Sequence, residues 1–286
     1  MTYSLYPGCS LHSTGVEYGA STHAVIDAMG IEMRELDDWN CCGASSGHAV
    51  GNELGVMLAG RNLLIAQQTG MDLVVPCAAC YSRLRHAQHS LSEDGGLQQK
   101  LGTSVGIAWK GGVEVESLLS VMVDRVPSEE ISKRVRKRLS GVKVAAYYGC
   151  LLARPRSVTH ASNPDQPMEM DNLLSLLGAD PMEWSYKTDC CGAGLTMSRS
   201  DQVSRLVGKL VDRAAEAGAE CIATACPMCQ ANLDMRQGDR KMPVFYFTEL
   251  MGWAFGLPEA DKWWSKHLID PRPVLRKADG VGAAAR

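Results

Sequence analysis

Asp37-Asp38-Trp39-Asn40-Cys41-Cys42-Gly43, with its echo Thr188-Asp189-Cys190-Cys191-Gly192, decides how this chain of 286 residues is read. Adjacent cysteines are poor partners for one another, because a vicinal disulfide closes a strained ring far from relaxed geometry. Each pair is followed by 34 residues and then a C-x-x-C, made by Cys77 and Cys80 in the first copy and by Cys226 and Cys229 in the second. All four positions repeat at a single offset of 149. A fifth cysteine leads each copy: Cys9 in Tyr6-Pro7-Gly8-Cys9 and Cys150 in Tyr147-Tyr148-Gly149-Cys150, both behind a tyrosine-bearing strand and a glycine. Ten of the eleven cysteines therefore form two sets of five, the mark of a duplicated metal-cluster site on a duplicated scaffold.

Four thiolates satisfy a zinc ion or a cubane cluster. A fifth, repeated in both copies, would be idle in a zinc site, so iron–sulfur is preferred over zinc and over thiol–disulfide exchange. Cys221 pairs by offset with Asp72, has no twin and falls within an expected strand, where a free cysteine behaves as a small core hydrophobe. His48 follows Gly43 by five residues and is a weak catalytic candidate, since Met197 takes its place in the second copy. His12 and His160 near the leading cysteines are weaker still. Arg154 and Arg156, just past Cys150, suit either a carboxylate or phosphate or plain surface charge.

Working outward, 45% apolar and 21% charged residues describe a globular chain, and a formal charge of −3 makes no case for nucleic acid or an acidic membrane surface. No apolar run reaches the length of a membrane span, and Met1-Thr2-Tyr3-Ser4-Leu5-Tyr6 lacks a signal peptide's basic and apolar regions, so a cytoplasmic location is expected. Thiols stay reduced there, which favours metal or redox chemistry over structural disulfides.

The order of elements predicts an α/β fold: two tandem, pseudo-symmetric Rossmann-like domains, each a small parallel sheet flanked by helices. Strands are expected at 3–6, 31–36 and 72–76, helices at 16–29, 52–68 and 81–90, a polar loop at 92–99 and a closing edge strand from Val113. The cycle repeats with strands at 142–148, 182–186, 220–225 and 244–247 and helices at 170–177 and 201–217. The first domain spans 1–126. Residues 127–141 form a basic helical linker, with Ser128 as N-cap and Glu129–Lys133 and Glu130–Arg134 pairs, read as a solvated helix or else a docking patch. The second domain spans 142–257, and an irregular tail runs over 258–286. Trp263-Trp264 beside Lys262 and Lys266 is the one faint candidate for a membrane-seeking stretch.

On Cys9, Cys41-Cys42-Gly43, Cys77-Ala78-Ala79-Cys80 and on Cys150, Cys190-Cys191-Gly192, Cys226-Pro227-Met228-Cys229, the chain resembles the CCG-domain family, and within it the B subunit of heterodisulfide reductase. The likeness spans nearly the whole chain, without the ferredoxin-like C-x-x-C-x-x-C module fused in several relatives. It implies two noncubane [4Fe-4S] clusters facing each other across a disulfide-binding site. Cys9, Cys41, Cys42, Cys77 and Cys80 would hold one; Cys150, Cys190, Cys191, Cys226 and Cys229 the other. It also implies two protein partners that supply single electrons, a ferredoxin protein like the reductase's C subunit and a flavin-bearing protein like its A subunit. A small-molecule disulfide or sulfur carrier would then be reduced in two one-electron steps. The alternative is an electron-transfer subunit of a lactate-, glycolate-, fumarate- or quinone-linked oxidoreductase.

Overall fold

The computed structural model describes residues 1–44 and 46–283, whose eight strands form two separate four-stranded sheets. In the first, β1 (Thr2–Leu5), β2 (Glu32–Glu35), β3 (Leu73–Val75) and β4 (Val115–Ser117) lie in the order β2-β1-β3-β4. In the second, β5 (Lys143–Tyr147), β6 (Asp180–Pro181), β7 (Cys221–Thr224) and β8 (Val244–Tyr246) lie in the order β6-β5-β7-β8. Every pairing is parallel. Because each sheet steps to one side of its first strand and then crosses to the other, a crevice opens at the carboxyl ends of its two central strands.

The strands read as their burial requires. Leu73-Val74-Val75 and Cys221-Ile222-Ala223-Thr224 are buried throughout, as central strands covered on both faces must be. The edge strand Glu32-Met33-Arg34-Glu35 is mostly exposed and charged, which discourages pairing with another chain. The halves then share one interior. Tyr18 of the first half stacks on Tyr246 of the second at 4.2 Å between ring centroids, and Ser21 Oγ lies 2.7 Å from Thr248 Oγ1. A single apolar cluster runs from Val25, Ile26 and Met29 to Phe245, Phe247 and Leu250.

Four expectations give way to the coordinates. The polar loop expected at 92–99 is instead the end of helix Ala78–Glu93 and the start of helix Gly95–Val105: the Asp94 carboxylate between them accepts from the Gly96 and Leu97 N–H groups, and Leu101 is buried. An Asp-Gly-Gly run reads as a turn, but here it is a helix cap. The strand expected at 182–186 lies before that range, at Asp180–Pro181, and goes no further because the Trp184 indole N–H donates to the Ala146 carbonyl at 3.0 Å and takes the next rung for itself. In the segment 127–141 the helix runs Ser128–Arg134 with Pro127, not Ser128, at the N-cap, and Glu130 alone pairs with Lys133 and Arg134. Arg134 donates to Ala28 O and the Arg136 and Lys137 N–H groups to Ala254 O, so this segment is tied to both halves. The tail is not irregular: it forms helices Ala260–Trp263 and Arg272–Ala283, and Trp263 and Trp264 are 4% and 5% exposed, too buried to seek a membrane. The last residues of its Gly/Ala-rich end, 284–286, lie outside the described residues.

Candidate metal centre

All ten paired cysteines gather at the carboxyl edges of the two sheets. Cys9 lies in the short helix Gly8–Leu11 directly after β1, Cys41 and Cys42 in the loop after β2, and Cys77 at the N-cap of helix Ala78–Glu93 after β3, with Cys80 in its first turn. The second copy repeats this with Cys150 in helix Cys150–Ala153, Cys190 and Cys191 in the loop after β6, and Cys226 capping helix Pro227–Met235. Free N–H groups at a helix start stabilise thiolate, so each C-x-x-C arrives in a setting that favours the charged ligand.

Within each half the thiols are in contact. Cys42 Sγ lies 3.3 Å from Cys80 Sγ, and Cys191 Sγ lies 3.5 Å from Cys229 Sγ. Hydrogen bonds from the Cys41 and Cys80 thiols bring the Cys42 thiol down to about 4. A hydrogen bond from Cys150 brings Cys190 down to about 6. Across the midline the Tyr18 hydroxyl lies 3.0 Å from the Pro76 carbonyl and 3.5 Å from the Ala225 carbonyl, which brings the starts of the two C-x-x-C segments together; Cys226 raises the Cys77 thiol, while Cys229 first and then Cys77 lower Cys226. The two five-thiol sets therefore face one another. Cys42, Cys77, Cys80, Cys191, Cys226 and Cys229 are buried, Cys150 is half-buried, and Cys9, Cys41 and Cys190 form an exposed rim.

The same latches hold both loops. Tyr6 donates to the Asn40 carbonyl at 2.8 Å and Tyr147 to the Asp189 carbonyl at 2.7 Å, fixing the residue before each cysteine pair. Gly43 and Gly192 turn the loops with φ of 73° and 78°, and a Cβ there would stand 2.9 Å from Leu58 and 3.0 Å from Leu206. Those glycines thus serve the turn and the helix packed beneath it. Close approach to sulfur falls instead to Gly8 and Gly149, where a Cβ would lie 2.9 Å from Cys80 Sγ and 3.0 Å from Cys229 Sγ. In the second half Asn232 donates to the Cys191 carbonyl at 3.2 Å; its offset counterpart in the first half is Arg83.

Five thiols in each half exceed the four that one tetrahedral ion takes, and that donor chemistry suits an iron–sulfur cluster. Four sulfurs around one zinc at 2.3 Å would sit about 3.8 Å apart. Among the described residues no three of these sulfurs lie within 4.8 Å of one another, the one group that tight being Asp72, Glu114 and Glu116. Glu114 and Glu116 are already paired with Arg125. Arg83 Nε, one turn beyond Cys80 and within the field of Cys42, is a buried donor with no acceptor. A donor left over beside a thiol set matches an anionic group held there.

The other candidates separate from the cysteines. His12 is exposed, bonded to Glu35 at 3.1 Å and stacked on Trp39. His160 is exposed at the end of helix Arg156–Thr159. His48 sits in helix Gly47–Val50 with a buried, unpartnered Nδ1, and none of the three hydrogen-bonds a thiol among the described residues. Arg154 pairs with Asp165 at the surface, and Arg156 is exposed. Cys221 is fully buried in β7, and burial pushes its thiol up. One supporting group gave no clear sequence signal. Lys187, 1% exposed, pairs with Asp171 at 2.8 Å, while Tyr148 donates to the other oxygen of that carboxylate.

Two mirrored parallel-sheet lobes that meet cysteine face to cysteine face define a duplicated, thiol-rich redox protein. The cysteine-rich CCG domain model matches residues 3–85 and again 144–234, and the chain belongs to that family. It is 29% identical to the 8-methylmenaquinol:fumarate reductase membrane anchor subunit of Wolinella succinogenes, over 94% of this chain and 97% of that protein. It is 25% identical to the B subunit of a CoB-CoM heterodisulfide reductase from Methanosarcina acetivorans, over 99% of both. A solved Helicobacter pylori protein described as hypothetical shares the fold, with a TM-score of 0.72 over 94% of this chain and 52% of its own at 12% identity. Among the described residues no helix is long and apolar enough to cross a membrane.

Proposed function

We propose that this chain is the disulfide-reducing subunit of a heterodisulfide-reductase-like complex. Cys9, Cys41, Cys42, Cys77 and Cys80 hold one noncubane [4Fe-4S] cluster, and Cys150, Cys190, Cys191, Cys226 and Cys229 hold a second. The observation that carries the reading is the apposition of the two thiol sets: the Tyr18 hydroxyl reaches both the Pro76 carbonyl at 3.0 Å and the Ala225 carbonyl at 3.5 Å, the residues just before Cys77 and Cys226. When bound, the clusters supply one-electron redox steps and a metal with affinity for soft sulfur, so a pair of them matches the two electrons needed to open an S–S bond. The protein's own part is placement. Tyr6 and Tyr147 fix the loops, Gly8 and Gly149 admit the sulfurs, and Arg83 and Asn232 offer donors at the two sites. Electrons come from a ferredoxin-like partner fed by a flavoprotein; the reductase subunits among its relatives support the presence of partners.

A second reading is favoured by the Wolinella relative: the same paired sites exchange electrons with a quinol. Anaerobic iron and sulfide quantification is expected to return about eight irons per chain. Cys42→Ala and Cys191→Ala should each lose about half of that iron and abolish disulfide turnover. An EPR signal that appears on adding a thiol to the oxidised protein supports the first reading; one that appears only with a quinol supports the second. Colourless protein, or unchanged iron in both variants, refutes both.

A further inference from the structure

Reducing a disulfide to two thiols, or a quinone to a quinol, takes up two protons along with two electrons. Glu17 is a buried acid that no contact of the metal centre uses. It sits in the first turn of helix Val16–Met29, is 5% exposed, and borders the groove between the segment after Cys9 and helix Pro227–Met235. Among the described residues its carboxylate has no partner beyond its own backbone N–H. Burying a carboxyl without a partner favours its protonated form. Burial accordingly holds Glu17 above the usual carboxylate range; its own N–H opposes this, Glu249 adds to it, and His267 and Lys266 work against it. The neighbouring acids are committed elsewhere. Glu249 accepts from the Tyr246 N–H and pairs with His267, and Asp234 accepts from the Leu268 and Ile269 N–H groups, while Lys266 lines the same groove.

A second unpaired group links Glu17 to the thiols. Tyr246 is fully buried with its ring stacked on Tyr18, and its hydroxyl has no hydrogen-bond partner. Glu17 is the charged group that acts most strongly on this phenol, ahead of Glu249 and Cys226. A Cβ on Gly15, two residues before Glu17, would lie 3.2 Å from the Tyr246 hydroxyl and 3.1 Å from the Cβ of Pro227, which directly follows Cys226. The hydroxyl therefore stands beside the second C-x-x-C. A buried hydroxyl without a partner is rare, and one in the field of an unpaired acid is equipped both to take a proton and to give one. The first half has no equivalent. Ser117 pairs with Val75 as Tyr246 pairs with Thr224, so a serine stands where the second half has its tyrosine, and the Ser117 Oγ accepts from the Ser120 N–H.

We infer that Glu17 and Tyr246 form a proton relay between solvent in the groove and the cleft beside Cys226 and Cys229, serving the second cysteine set alone. The inference rests on the proposed redox function and adds its proton route. As an S–S bond opens with two electrons from the partner protein, each departing sulfur becomes a thiolate. Glu17 gives its carboxyl proton to the Tyr246 hydroxyl, whose own proton passes on toward the thiolate, and solvent in the groove returns a proton to the carboxylate. Two such passages complete two thiols, and a quinone reduced to its quinol draws the same two protons.

The test uses the full chain with its clusters, kept anaerobic, and whichever of 2-hydroxyethyl disulfide and 2-methylnaphthoquinone the parent reduces with reduced viologen. Glu17→Gln should keep the parent's iron content and a KM within about two-fold, yet lower kcat by about ten-fold or more. Formate, a small acid able to enter the groove, should restore much of that loss. Tyr246→Phe keeps the ring on Tyr18 and should lower kcat similarly, without rescue by formate. Parent turnover should fall as pH rises and the Glu17 carboxyl ionises, and this limb should vanish in Glu17→Gln. Infrared difference spectra between parent and Glu17→Gln should show the carbonyl stretch of a protonated carboxyl. Both variants keeping kcat within about two-fold, a loss of iron together with a loss of kcat that formate leaves unrestored, or a difference spectrum with carboxylate bands alone overturns the inference. A parent that reduces neither probe is a separate result, which overturns the redox function itself and the relay with it.

Discussion

Lys187→Met offers a demanding test of how the second cysteine set is held. Lys187 and Asp171 have side chains 2% and 5% exposed, with Nζ 2.8 Å from Oδ1, and Nζ also donates to the Pro167 carbonyl at 3.2 Å. Tyr148 donates to the remaining carboxylate oxygen at 2.8 Å. Removing the ammonium leaves a buried carboxylate with one neutral donor, which costs about 3–5 kcal/mol. The damage should also reach the site. The Lys187 carbonyl accepts from both the Tyr148 and Gly149 N–H groups, at 2.9 Å and 3.1 Å, so this corner sets where Cys150 stands relative to Cys190. Urea unfolding under anaerobic conditions measures the first effect, and iron content the second, with loss expected from one set only and so about half the total. The double variant Lys187→Met/Asp171→Leu, which removes both charges, should recover most of the stability because no buried charge is stranded. A single variant within about 1 kcal/mol of the parent, with full iron, would refute the reasoning, as would a double variant no more stable than the single.

Other expectations follow from neighbouring geometry. Gly8→Ala puts a methyl 2.9 Å from Cys80 Sγ at a φ of 68° and should lose iron from the first set, whereas Gly30→Ala, at φ 69° with nothing within 4 Å, should cost about 1–2 kcal/mol of backbone strain and keep its iron. Tyr147→Phe removes the bond to the Asp189 carbonyl and should destabilise by about 1 kcal/mol, seen as a shift of about 2–4 °C in Tm. His267 bonds Glu249 at 2.9 Å with both side chains fully buried; burial alone would lower its pKa, but the Glu249 charge and hydrogen bond outweigh it and raise it. A raised folded value means the pair's stabilisation is complete below the unfolded value of about 6.5 and fades as pH rises through the folded one. His267→Gln should therefore cost more at pH 6 than at pH 9 in denaturant titrations, and an equal cost at both would rule the linkage out.

The cysteine spacing and the alternation of apolar runs with helical periods were enough to read two α/β halves, each with five thiols at its strand ends, because both signals are local and the duplication states them twice. The helix at Gly95–Val105 was missed because its cap, Asp94-Gly95-Gly96, is also good turn chemistry. The short β6 was overread because an indole, not a backbone amide, occupies the Ala146 carbonyl. The family resemblance implied two facing sites, but the residues that meet between the halves were not legible. Tyr18 stacked on Tyr246, its hydroxyl between the Pro76 and Ala225 carbonyls, and Ser21 against Thr248 depend on packing between residues far apart in the chain. Sequence alone singled out the ten thiols as the candidate metal ligands, since a thiol's affinity for metal is a property of the residue and its neighbours in the chain. Only the tertiary structure decided which residues bring the two sets together, because burial of apolar surface has no direction until two surfaces find their complementary shape.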